Sequence, residues 1–209
     1  MIPRVLVLVG PVGGGLELVL AGLLRRGRIT LHPVWTDRPM RIHEIGEPEA
    51  RMFAHPGEFD IADETGFFVA TARNDGEPFR YGIPGVSSWD ADMIDTVVLP
   101  AGLVGEFTQH IPDVVVYCID APGALLEERI SSMGLTKAEQ EEMRRYNSVE
   151  SALGSIRATR VWPKGVRSFE IEDVVDQVEE ALSGDFGTGD EMKVRAARVA
   201  EASLAGTDI

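Results

Sequence analysis

Residues 10–17 read Gly-Pro-Val-Gly-Gly-Gly-Leu-Glu. A phosphate-binding loop has the pattern G-x-x-x-x-G-K-[ST] between a strand and a helix. Its glycines let backbone N–H groups cradle phosphate, its lysine reaches the terminal phosphates and its hydroxyl holds magnesium. Gly10 and Gly15 have that spacing, Gly13 and Gly14 lie between them, and the apolar run Arg4–Val9 precedes them. Leu16 and Glu17 stand where the lysine and the hydroxyl belong. Leu16 can make no charge-assisted hydrogen bond, a contribution of roughly 1.5–3 kcal/mol. Glu17 puts an anion where the helix N-terminus would favour one from a ligand, and two like charges about 4 Å apart repel by roughly 4 kcal/mol at an effective dielectric near 20. The expectation is that Glu17 caps its own helix and takes the place of a phosphate. Arg25 and Arg26 lie about 13 Å further along the helix, too far to replace the lysine. Read alone, Gly10–Gly15 serves equally well as a plain strand-to-helix turn. A dinucleotide fingerprint starting at Gly13 fails at Leu18.

Two further stretches carry polar groups suited to an anion. Thr36-Asp37-Arg38-Pro39-Met40-Arg41 follows the strand-like run Ile29–Trp35, and Arg80-Tyr81-Gly82-Ile83-Pro84 follows the turn signal Asn74-Asp75-Gly76. Arginines can fork the oxygens of one phosphate, so Arg38 and Arg41 read either as an anion clamp or as a solvated charged loop. Tyr81 reads as a pocket residue or as half-buried packing, and Arg80 as a surface residue.

Strand-like and helix-like runs alternate around these motifs. The strands are expected at Phe67–Ala72, Thr96–Leu99, Val114–Ile119 and Val161–Trp162. The helices are expected at Leu16–Arg26, Pro56–Glu64, Gly102–His110, Pro122–Ser132, Thr136–Arg157 and Asp173–Leu182. Thr136 and Glu139 form a capping box. The alternation predicts an α/β fold in three layers, a parallel central sheet with helices on both faces. Residues 183–190 read as a flexible link, and Glu191–Leu204 as a terminal helix that docks on the core, stands loose or pairs with a second copy as a homodimer.

In order and spacing the loop, Thr36–Arg41 and Arg80–Pro84 resemble the guanylate kinase superfamily of P-loop kinases. Arg80–Pro84 and Gly66–Thr71 look most like ribose 1,5-bisphosphate phosphokinase, with a degenerate phosphate loop. The resemblance covers roughly residues 3–182. It implies a kinase domain over 1–182, with an acceptor subdomain at about 36–84, a reduced lid at about 132–145, and a linker with C-terminal helix over 183–209. It also implies that the donor nucleotide lies on Gly10–Glu17 and that Thr36, Arg38, Arg41 and Tyr81 hold an acceptor's phosphate. Ala70 stands where guanylate kinases read guanine with an acid, which argues against GMP. Pro100 replaces an aspartate. The lid sequence Ser132-Met133-Gly134-Leu135 lacks the family's arginines. Arg144 and Arg145 lie near a family arginine that faces the phosphates, and are the catalytic candidates; an ion pair with Glu141 is the alternative for them.

Phosphoryl transfer is mostly positioning and charge neutralisation, and three separate contributors to it are missing. The expectation is therefore a degenerate kinase fold that binds a phosphorylated small molecule or a protein partner. The alternative is an active phosphotransferase on a nucleoside monophosphate or ribose bisphosphate, for which ATP and Mg²⁺ would be required. No other cofactor and no metal site is implied: the four histidines, His32, His43, His55 and His110, have no ligand spacing, and His43 with Glu44 and Glu47 reads as surface polarity. Net charge of −14 disfavours nucleic acid and anionic membranes. The absence of a long apolar run and of a signal peptide, with one cysteine, Cys118, predicts a cytoplasmic protein.

Overall fold

The computed structural model describes residues 5–41, 44, 50–73, 78–85, 93–111, 114–167 and 170–182. The turn at Asn74–Gly76, the link at 183–190, the expected helix Glu191–Leu204 and the residues His43 and Glu47 lie outside them.

The chain folds as β1 (Val5–Val9), α1 (Leu16–Arg26), β2 (Ile29–Leu31), β3 (Val34–Thr36), β4 (Arg51–Phe53), α2 (Pro56–Glu64), β5 (Phe68–Arg73), β6 (Arg80–Pro84) and β7 (Ile94–Val98). A 3₁₀ turn (Ala101–Leu103) leads into α3 (Val104–His110), β8 (Val114–Ile119), α4 (Gly123–Ser132), α5 (Lys137–Arg157), β9 (Arg160–Trp162) and α6 (Ile171–Leu182). The central sheet has the order β2-β7-β1-β8-β9 and every pairing in it is parallel. β1 lies at its centre and is buried along its whole length, which is why Val5–Val9 reads as a continuous apolar run.

The alternation of side chains along β1 separates two cores. Leu6 and Leu8 pack with Val19, Leu20 and Leu23 of α1 and Val174, Val175 and Val178 of α6. Val5, Val7 and Val9 face the other way, toward Val104 and Phe107 of α3 and toward Val34, Ala70, Tyr81 and Ile83 of a second sheet. That smaller sheet has the order β4-β3-β6-β5, with β3 parallel to β4 and the remaining pairs antiparallel.

The run Ile29–Trp35 is two strands rather than one. Leu31 ends β2 in the central sheet, and Val34 begins β3 in the small sheet. Pro33 lies between them; it has no N–H to continue a ladder, so the chain changes sheet there. α2 is capped by His55, whose side chain accepts from Gly57 N–H while Glu58 accepts from His55 N–H. Phe59 of α2 lies 4.8 Å from Phe68, centroid to centroid, and Trp35 lies 5.2 Å from Phe67, so the helix and the strands of the small sheet meet through aromatic rings.

Candidate functional site: a glycine loop facing an arginine cluster

The glycine loop leaves the C-terminal end of β1 and opens α1, where a doubly wound sheet places its ligands. A methyl carbon on Gly10 would lie 2.2 Å from the Ile119 carbonyl oxygen, and one on Gly14 would lie 2.7 Å from it. Gly15 caps α1 with φ 98°, a left-handed value that favours glycine. Close approach to β8 and this cap explain why the turn is built from glycine.

Leu16 does not point at a ligand. Its side chain is buried in the α1–α6 core with Val166. Glu17 is half-buried, and burial pushes its carboxyl above the ordinary value, against the opposing pull of its own backbone N–H, Arg51 and Arg129. Glu17 lies in the first turn of α1, but the N-terminus of the helix has no side-chain cap, so the expected capping by Glu17 is not formed. A cleft of ≈ 430 Å³ opens beside it, lined by Gly13, Gly15, Glu17, Leu18, Arg129, Val166 and Arg167.

Two residues that fix this loop were not visible as site residues in the sequence. Asn147 of α5, almost fully buried, accepts from Val12 N–H at 2.9 Å and donates to the Val12 carbonyl at 2.8 Å. Arg129 of α4 donates to the Gly13 carbonyl and, at 2.9 Å, to the Val166 carbonyl. A polar residue on the buried stripe of α5 (Met143, Asn147, Glu150, Gly154) was the available signal for Asn147. Arg129 gave none, since the expected lid arginines belong after Ser132. Glu150, on the same stripe, accepts from Ala101 N–H through both oxygens, at 3.1 and 2.9 Å, and ties α5 to the turn after β7.

Arg144 and Arg145 lie on the outer face of this helix. Arg144 is exposed and pairs with Glu127 of α4 at 2.6 and 2.7 Å, rather than with Glu141. Arg145 is exposed.

Thr36, Arg38, Arg41 and Tyr81, expected from the sequence to hold an acceptor, lie around one polar cluster. Thr36 is fully buried at the end of β3; its hydroxyl donates to the Arg80 carbonyl at 2.8 Å and accepts from Arg38 N–H at 3.4 Å. Arg38 is buried and sits over the Phe53 ring, 5.1 Å from its centroid. Its guanidinium forks onto the two Glu44 oxygens, one of them at 2.8 Å. Burial alone would lower the Arg38 guanidinium; hydrogen bonding to Glu44 and Tyr81 reverses this and raises it. Burial likewise opposes the ionisation of Glu44, but Arg38, the Arg41 N–H and Arg51 hold its carboxyl below the ordinary value. Arg41 N–H donates to Glu44 at 2.8 Å, and its guanidinium lies over the Tyr146 ring at 5.2 Å and 3.8 Å from Glu142. Arg51 of β4 approaches Glu44 to 3.5 Å. Tyr81 is buried in the same cluster. Glu44, read as surface polarity from the sequence, is therefore its centre. Arg80, read as a surface residue, pairs with Asp37 at 2.7 Å and Asp60 at 2.6 Å.

No protein-family model and no curated protein matches this sequence. Among solved structures, the chain is similar to a guanylate kinase from Anaplasma phagocytophilum, with a TM-score of 0.59 and 20% identity over 88% of this chain and 86% of that one. The fold is that of a guanylate kinase. At this identity the likeness extends to the architecture, a parallel five-stranded sheet with helices on both sides and a small sheet set against it. Among the described residues no cluster of His, Cys, Asp and Glu gathers to hold a metal ion, and no helix is long and apolar enough to cross a membrane.

Proposed function

We propose that this guanylate-kinase-like chain binds a phosphorylated small molecule in its acceptor subdomain, at Thr36, Arg38, Arg41 and Tyr81, and transfers no phosphoryl group. The observation that carries the reading is the state of the donor loop. The lysine position is filled by Leu16, which is part of the core, and the hydroxyl position by a carboxylate on its own helix N-terminus. These residues do not fit a magnesium-bound nucleoside triphosphate, which needs a cation at the first position and meets charge repulsion at the second. The acceptor side carries one buried arginine, Arg38, with Arg41 and Arg51 partly exposed beside it, a set suited to a phosphate ester.

One observation favours a second reading, an active phosphotransferase on a nucleoside monophosphate or ribose bisphosphate. Arg129 brings a guanidinium to the loop at Gly13, where it could neutralise a donor phosphate. A thermal-shift titration separates the two, since ligand at 100 times its dissociation constant adds roughly 2.7 kcal/mol of stability. A shift with ribose phosphates or nucleoside monophosphates and none with ATP or GTP plus magnesium is expected. A shift with a triphosphate, followed by turnover that Arg129→Ala abolishes, overturns the first reading in favour of the second.

A further inference from the structure

We propose that Glu44 is an internal competitor for the ligand's phosphate and that Arg51 is a further anion-binding residue of that site; the inference rests on the ligand-binding reading above. The Glu44 carboxylate is held as a phosphate would be held. It takes the fork of Arg38, the backbone N–H of Arg41 and the approach of a second guanidinium, Arg51, at 3.5 Å. Its side chain is only 8% exposed.

One carboxylate serves this environment incompletely. The guanidiniums of Arg38 and Arg51 both face it, yet the Nε–H groups of both are buried without making a hydrogen bond, that of Arg51 standing 3.5 Å from the Glu44 carboxylate. A buried donor left unsatisfied is costly, and more so when it is charged. A phosphate monoester brings three terminal oxygens and close to two negative charges at neutral pH, enough to meet the forks and the orphan donors together. A phosphate ester therefore has more to offer these arginines than Glu44 does, and binding exchanges one anion for the other. Arg51 comes from β4, in register with Val34, outside the Thr36–Arg41 segment. Its charge also pulls on the Glu17 carboxyl of the glycine loop.

Isothermal titration of the full chain with inorganic phosphate and with ribose 5-phosphate tests both parts. Removing the competitor with Glu44→Gln should tighten binding by about tenfold or more, and Arg51→Gln should weaken it by about tenfold in either background. Should Glu44→Gln fail to fold, Glu44→Asp, which shortens the reach to both arginines, should tighten binding by a smaller factor. Affinity that is unchanged or weaker in a folded Glu44 variant overturns the competitor role, and affinity unchanged in Arg51→Gln overturns the Arg51 role. Either result leaves the ligand-binding reading standing as long as the unmodified protein binds. Failure of every variant to bind either probe overturns the ligand-binding reading as well.

Discussion

The two halves of the candidate site are built in opposite ways. In the glycine loop the turn is made by Gly10, Gly14 and Gly15, while Leu16 belongs to the core and Glu17 lies in the first turn of α1. The arginine cluster satisfies its cations from within, through Glu44. Glycine in a loop can be retained because β8 leaves no room for a side chain, with no ligand involved. Buried arginine is different. Its desolvation is offset here by a matching anion, so one side of the candidate site holds a costly polar arrangement and the other is built on close packing.

The contrast can be broken most strongly at Arg38. Arg38→Ala leaves Glu44 buried without its fork, and breaking a buried pair in this way costs about 3–5 kcal/mol; binding of any phosphorylated ligand should be lost with it. Chemical denaturation and a phosphate titration measure both, and unchanged affinity in a folded variant would sink the acceptor assignment. Next comes Leu16→Lys, alone or with Glu17→Ser. Replacing a core leucine costs about 2–5 kcal/mol, so the variant should unfold at lower denaturant without gaining ATP affinity. A neutral change in stability, with ATP binding, would show that the donor site is only two substitutions away from working order.

A smaller effect is expected at Glu17. Its folded-state carboxyl lies above the ordinary value of 4.5, so the native protein takes up this proton before the unfolded chain does. Stability from this group therefore rises as pH falls from the raised value toward 4.5 and is missing at neutral pH. Glu17→Gln should stabilise the protein at pH 7 by about 1 kcal/mol, the scale of one modest burial penalty, and flatten that part of the pH profile. Glu44 has the opposite sign: its stabilisation is present above 4.5 and is lost as pH falls through its lowered folded value. Arg144→Ala should change stability least, by under about 0.5 kcal/mol, because the Arg144–Glu127 pair is exposed. Unaltered ligand binding in that variant would remove Arg144 from the site.

The periodic features of the sequence were readable because they are local. The run Val5–Val9, the capping box at Thr136 and the helix Pro56–Glu64 stand where pattern and caps put them. The change of sheet at Pro33 was less legible, since Ile29–Trp35 has one unbroken β-like composition and only the proline marks the break. At the site, the spacing of Thr36, Arg38 and Arg41 and the placement of Tyr81 identified residues that meet in space. What occupies them did not show. Glu44 looked like any acid in a charged loop, and its role depends on Arg51, which comes from a separate strand. Asn147 and Arg129 reach the loop from positions more than a hundred residues away, a distance at which no local pattern carries information.

The clasp between α1 and α6 has a consequence for how the chain is made. Arg26, at the end of the first helix, bonds to Glu172, Asp176 and Glu179, about 150 residues later, and the apolar face of α1 is covered by Val174, Val175 and Val178. During synthesis the first helix leaves the ribosome long before its cover exists. At about 5–20 residues per second, Leu20 and Leu23 remain without their native neighbours for roughly ten seconds or more. That interval is when a chaperone has the most to protect, and the glycine loop can take its final form only after it closes.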